Sequence, residues 1–285
     1  MKRIVLLIVL AAIMSCASVS YSEEQNQQMN AHISDQAEPM DHAVPELPAD
    51  SSTANSELFG ISTYPVSGSM VDYFDGVSGY LSRPEDEKAY PTVVMIHEWW
   101  GLNDHIKRMA DVLASQGYIV LAVDLYGGKV ATTADEARTL VGSLDQNEAI
   151  DNMDAAVSYL KALSPDMKTA SLGWCFGGGQ SLLISLNKPL DATVIYYGNL
   201  VTDAGNLSSL HGPVLGLFGA KDTSIPVAAV NEFDQALTAN GQDHSIKIYE
   251  GVGHAFANPS GATFSADKTK DAWARTVDFL SKNLK

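Results

Sequence analysis

The chain has 285 residues, 46% of them hydrophobic and 18% charged, with a formal net charge of −16 at pH 7. That supplies enough apolar material for a full core, and the acidic balance argues against nucleic acid and against an anionic membrane surface as partners. There are two cysteines, Cys16 and Cys175; with Cys16 lipidated or cleaved off, as the N-terminus below suggests, Cys175 has no partner and no disulfide is expected to staple the fold.

The N-terminus has the build of an export signal. Lys2 and Arg3 precede an apolar run over 4–14 that is too short to span a bilayer comfortably. The run ends Ile13-Met14-Ser15-Cys16-Ala17, which resembles a bacterial lipobox. The resemblance implies cleavage before Cys16 and lipidation of its thiol, and Ala17 after the cysteine suggests the outer membrane. Ordinary cleavage after Ala17 at a small-x-small site is the alternative. Residues 17–60 are rich in Gln, Asn, Ser, Ala, Glu, Asp and Pro without apolar periodicity, and read as a disordered linker. The signal peptide is thus assigned to 1–16, the linker to 17–60 and one folded domain to 61–285.

From residue 63 the pattern becomes globular. Strands over 71–74 and 79–82 flank Asp75-Gly76, a hairpin turn signal. A continuous apolar strand follows over 92–96, then a helix over 104–115 with Ile106, Met109, Val112 and Leu113 on one face, and a strand over 118–123. Helices are expected over 133–141 and 148–163, a strand over 169–172, a helix over 178–186 and strands over 193–197 and 214–218. A helix over 227–239, a strand over 245–249 and a last helix over 266–282 complete the chain. Alternating helices and continuously apolar strands imply an α/β fold, with a mostly parallel central sheet and helices on both faces.

The chemistry concentrates where strands end. Gly173-Trp174-Cys175-Phe176-Gly177 joins a strand to a helix. A G-x-C-x-G at such a junction is a nucleophile elbow with sulfur in place of oxygen: the glycines permit a tight turn, and the helix N-terminus favours a thiolate. An acid and then a histidine should follow, each after a strand. Asp222 stands after the strand over 214–218, and His254 follows Gly251-Val252-Gly253 after the strand over 245–249. In this arrangement His254 takes the thiol proton and later protonates the leaving group, while Asp222 fixes the imidazole tautomer. The backbone N–H of Phe176 is one expected oxyanion donor.

The elbow with Gly178 and Gly179, the run His97-Glu98-Trp99-Trp100-Gly101, the run Asp124-Leu125-Tyr126-Gly127-Gly128, and Gly253-His254-Ala255-Phe256 together resemble the dienelactone hydrolase family, a branch of the α/β-hydrolases with a Cys-His-Asp triad. The resemblance runs from about residue 63 to the C-terminus. It implies the α/β-hydrolase fold, the N–H of Trp99 as the second oxyanion donor, and Glu98 as a carboxylate that contacts the resting thiol and helps ionise it. The alternative for Glu98 is a loop carboxylate that caps the helix near Asp104. His97 is expected to be a hydrogen-bonded structural residue, since its run lacks the second histidine of a zinc motif. Trp99, Trp100, Trp174 and Tyr126 either line a pocket or pack into the core. One departure is decisive. Family members carry an arginine four residues after the histidine to pair with a substrate carboxylate, and here Asn258 stands there. A second family arginine maps near Ala134; Arg138, one turn on, either substitutes for it or is surface. Tyr126, Arg138 and Asn258 are therefore the substrate-binding candidates, and neutral or differently shaped small esters and lactones stand beside dienelactone as substrates.

The activity read from these residues is thiol-dependent hydrolysis of a small ester or lactone through a Cys175 thioacyl-enzyme, with no metal and no cofactor. A catalytically weak envelope scaffold and an acyltransferase are the alternatives. The partners expected are a small-molecule substrate and, only through a lipid on Cys16, the membrane of an exported bacterial protein. Mass analysis of the mature N-terminus tests the anchor: a diacylglyceryl group on Cys16 is expected, and a free N-terminus at Ser18 excludes it.

Overall fold

The computed structural model describes residues 58–60, 63–86 and 88–285; the expected signal peptide, lipidation site and nearly all of the linker lie outside them. Among the described residues the chain builds one eight-stranded sheet in the order β1-β2-β4-β3-β5-β6-β7-β8. The strands are β1 Val66–Phe74, β2 Val77–Pro84, β3 Thr92–Ile96, β4 Ile119–Val123, β5 Thr169–Trp174, β6 Ala192–Tyr196, β7 Val214–Gly219 and β8 His244–Tyr249. β1 pairs antiparallel with β2, and β2 with β4; every other pairing is parallel. This is the mostly parallel sheet of the α/β-hydrolase fold, as expected.

Burial follows position in the sheet. Every residue of β3, β4, β5, β6 and β7 is buried, because helices cover both faces. The strands are therefore continuously apolar rather than alternating. Val93 and Met95 face one way, onto α1 (Asp104–Ala114) and α7 (Ala266–Leu284); Val94 and Ile96 face the other, onto α3 (Gln146–Leu163). α2 (Ala134–Gly142) lies beside α3, and α6 (Val227–Ala239) closes the β7–β8 end. α4 (Phe176–Asn187) has all its residues buried.

The helix starts explain several boundaries. Asn103 caps α1, Thr133 caps α2 and Asp145 caps α3, each side chain accepting from a first-turn N–H. The β1–β2 turn places Asp75 at φ 31° and Gly76 at φ 81°, the positive pair that a tight two-residue hairpin needs. β1 begins five residues earlier than its apolar signal, because it is an edge strand whose first half is exposed. A short helix, α5 (Ala204–Leu207), had no periodic signal to announce it. The packed unit also reaches further back than residue 61: Phe59 is buried edge-on against Trp273, with ring centroids 5.5 Å apart, and Gln116 donates to its carbonyl. The expected linker boundary at 60 is therefore too late, since one aromatic residue in a polar stretch finds the core.

The site is placed by a change of direction in the sheet. From β3 the chain passes through α1 to β4 on one side, then returns through α2 and α3 to β5 on the other. The carboxyl ends of β3 and β5 thus face a crevice at a topological switch point, where α/β sheets bind ligands. Into this gap fits the start of α4. A Cβ on Gly177 would lie 2.4 Å from the carbonyl oxygens of both Ile96 and His97. Gly177→Ala is expected to lower stability by at least about 2 kcal/mol, because neither neighbour is a flexible side chain; thermal unfolding checks this.

Candidate active site

Cys175 joins β5 to α4 at φ 54° and ψ −121°. A side chain at this position in the left-handed region is strained and persists only where its surroundings over-determine it. They do so here. Its N–H donates to the Tyr196 carbonyl at 3.0 Å, its own carbonyl accepts from Gly178, and a Cβ on Gly173 would collide with Gly177 O at 2.0 Å. The result is a partly exposed thiol standing on the N-terminus of a fully buried helix, where the free N–H groups and the helix dipole favour a negative charge.

Asp222 and His254 converge on it from β7 and β8. The Asp222 carboxylate is fully buried and aligned on both oxygens: Oδ1 accepts the N–H groups of Ser224 and Ile225, each at 2.9 Å, and Oδ2 lies 2.9 Å from His254 Nδ1. Ala255 at φ 57°, and a bond from the Thr263 hydroxyl to the His254 carbonyl, fix the histidine's backbone. Burial would push His254 down, but the charge of Cys175 and its hydrogen bond, with those of Asp222, hold it well above the usual imidazole range. The three residues expected to form the triad are thus brought together, with Nδ1 on the acid and Nε2 left for the sulfur.

Glu98 follows β3 and is buried beside them. It does not cap α1, a task Asn103 performs. Its Oε2 instead accepts from Asn258 Nδ2 at 2.7 Å. Burial raises the Glu98 carboxyl from 4.5 to about 7, against the lowering pull of nearby His254 and the Asn258 bond. Asn258, in turn, accepts at Oδ1 from the Ser260 N–H and hydroxyl. Both ends of its amide are bonded within the protein, and the residue is buried.

His97 is structural, as expected: Nδ1 donates to the Glu98 carbonyl at 2.6 Å and Nε2 accepts from the Leu125 N–H at 3.2 Å. Full burial pushes its pKa down, which keeps it neutral. The turn that follows is closed by the Gly101 N–H on the Glu98 carbonyl. Neither the Trp99 nor the Phe176 backbone N–H has an acceptor among the described residues. The indoles of Trp99 and Trp100 pack edge-on at 5.0 Å, while Trp174 packs into the core against Tyr196. Arg138 pairs with Asp135 at 2.8 Å and carries its guanidinium 5.8 Å above the Trp99 ring. Tyr126 packs at a tilt against His97 and Phe176, and borders a cavity of about 250 Å³ that Cys175 and His254 do not line. Among the described residues no group of three or more His, Cys, Asp or Glu is arranged to hold a metal ion.

One residue beside the triad escaped the sequence reading. Tyr197 was placed inside a strand, yet β6 stops at Tyr196 and Tyr197 turns to φ 36°. Its ring lies edge-on to His254 at 5.2 Å. The only signal was the Gly198 that follows it.

A model of the dienelactone hydrolase family matches residues 77–284. The chain belongs to the dienelactone hydrolase family. A protein from Saccharolobus solfataricus named "Putative carboxymethylenebutenolidase" is 30% identical over 72% of this chain and 94% of its own length. One of the same name from Methylorubrum extorquens is 32% identical over 72% of this chain and 77% of its own. Among solved structures, the dienelactone hydrolase-like promiscuous phosphotriesterase P91 from metagenomic libraries superposes with a TM-score of 0.71 at 25% identity, covering 77% of this chain and 99% of that one. The chain is accordingly a hydrolase of the carboxylic-ester class.

The Glu98 environment makes a pH-dependent prediction. A carboxyl whose pKa is higher in the folded chain than in the unfolded one binds more protons when folded, so its contribution to stability falls as pH rises between the two values. Glu98→Gln cannot ionise. Its stability relative to the parent protein should therefore increase from about pH 4.5 to about pH 7 and level off above. Denaturant unfolding across that range checks this, and a constant gap refutes it.

Proposed function

We propose that this hydrolase cleaves small esters or lactones through a Cys175 thioacyl-enzyme. The observation that carries the reading is the strained Cys175 turn facing a histidine whose far nitrogen is held by a buried, fully aligned Asp222. In acylation the thiolate attacks the substrate carbonyl, and the oxyanion that forms is received by the N–H groups of Phe176 and Trp99. The C–O bond then breaks, and its electron pair goes to the leaving oxygen, which takes the proton on His254 Nε2. In deacylation water attacks the thioester and gives His254 a proton; the C–S bond breaks, releasing the acid and restoring the thiolate. No cofactor is required for these steps.

Glu98 acts as the buried carboxyl that exchanges a proton with the resting thiol, steadied by Asn258. The absence of an arginine at position 258 supports substrates without a carboxylate. Arg138, though it overhangs Trp99, already has Asp135 as its counter-ion. The carboxymethylenebutenolidase name of the relatives supports an ester or lactone, while the exchange of a bidentate clamp for a neutral amide moves the preference. The chain is further proposed to be exported and tethered through lipid on Cys16, a reading that rests on its N-terminal sequence.

Cys175→Ala should lose turnover of aryl acetates by at least about 10³-fold while keeping its unfolding temperature within a few degrees; His254→Ala should lose nearly as much, and the double variant little more. Retained esterase activity in Cys175→Ala would make the elbow structural. Iodoacetamide should modify Cys175, and more slowly once His254 is removed. In paired lactones differing by one carboxylate, the neutral member should have the higher kcat/KM; the reverse order refutes the preference.

A further inference from the structure

Beyond the triad, we propose that Tyr197 is a catalytic residue whose hydroxyl donates a hydrogen bond to the leaving oxygen of the substrate as its bond to the acyl carbon breaks. This rests on the thioacyl reading above and extends it to the other oxygen of the ester.

The first argument is an orphaned group. Tyr197 is completely buried, and its hydroxyl has no hydrogen-bond partner among the described residues. A buried hydroxyl left so is destabilising, and its backbone is strained besides, at φ 36°. Strain and an unmet donor in one residue at a strand end are features that persist at sites of function.

The second argument is where the hydroxyl lies. Burial above all, and then the charges of Glu98, Cys175, Tyr196 and Asp222, hold the phenol well above its ordinary range. It is therefore a neutral donor set among carboxyls and the nucleophile. It is bonded to none of them, the sulfur included, so its proton is uncommitted within the resting protein.

The third argument is topological, and it distinguishes the two oxygens of an ester. In the sheet β5 lies between β3 and β6. Trp99 follows β3, and with Phe176 offers the carbonyl oxygen its two N–H donors. Tyr197 follows β6 on the opposite side of Cys175, the side of Asp222 after β7 and His254 after β8. Its ring lies against the imidazole. The leaving oxygen must face His254, which protonates it, so Tyr197 stands on the leaving side rather than the carbonyl side. As the C–O bond breaks its electron pair moves to that oxygen, the proton comes from His254, and Tyr197 keeps its own, sharing it as a hydrogen bond. The benefit is greatest for alkoxide leaving groups, which carry the most basic developing charge, and least for nitrophenolate.

The test uses Tyr197→Phe, which keeps the ring and its contacts, with Tyr118→Phe as control. Tyr118 also has an unpartnered buried hydroxyl, but its ring lies under Lys285 at 4.4 Å, away from the triad. The full chain is assayed with acetate esters whose alcohols range from nitrophenol to ethanol. Tyr197→Phe should lose about tenfold or more in kcat/KM on alkyl acetates and under about twofold on nitrophenyl acetate, so that log kcat/KM depends more steeply on leaving-group basicity. Tyr118→Phe should match the parent throughout. Equal losses on all esters would make Tyr197 a support for the His254 ring, and no loss would make its hydroxyl idle; either overturns the proposal. Mass detection of an acetyl group on Cys175 of the parent protein reports separately on the thioacyl reading. If the adduct forms and the slope does not change, only the Tyr197 role falls; if no adduct forms, both fall.

Discussion

The structure depends on one close approach. The start of α4 enters between the carboxyl ends of β3 and β6 with backbone against backbone: Gly177 against the carbonyls of Ile96 and His97, and Gly178 against that of Tyr196. At this distance no side chain fits, and the absence of two Cβ atoms does what no attractive contact does. It brings the helix N-terminus under Cys175, sets the N–H of Phe176 beside the turn that carries Trp99, and fixes the spacing of the three strands whose ends supply Glu98, Cys175 and Tyr197. The apolar layers on both faces of the sheet hold this arrangement, but they do not specify it.

Around that point the electrostatics divide into two halves. On one side, the charge of Cys175 and a fully buried carboxylate with both oxygens engaged together raise an imidazole well above its usual range despite its burial. On the other, a carboxyl with a single amide donor is driven toward neutrality. For Glu98, burial outweighs the lowering pull of nearby His254 and of its one asparagine donor. Two buried carboxyls in one site thereby stand in different settings: one is bonded to the imidazole, the other is held by a single amide.

Much of this was legible in the chain. The interior strands announce themselves because burial on both faces leaves mostly apolar residues, and the elbow and its partners because tight turns demand glycine at fixed offsets. The rest depended on partners far away in sequence. Nothing local marks Asn258 as the partner of a glutamate 160 residues earlier, nor Phe59 as the cover of Trp273. β1 was read short because an edge strand has no need of apolar residues along its solvent side. Tyr197 was absorbed into β6 because an aromatic residue after an apolar run looks like one more strand position; its φ is imposed by the packing of Gly198 on Gly178, a contact between segments.

The strained backbone at Cys175 has a consequence for how this chain balances durability against work. Glycine occupies φ 54° without penalty, so the backbone alone would favour glycine at the position of the proposed nucleophile. On that reading the reacting atom is carried by the residue the fold would most readily give up, and the packed helix and sheet around it hold the chain slightly short of its most durable form. In such a molecule, selection for thermal robustness alone and selection for turnover pull in opposite directions at a single residue.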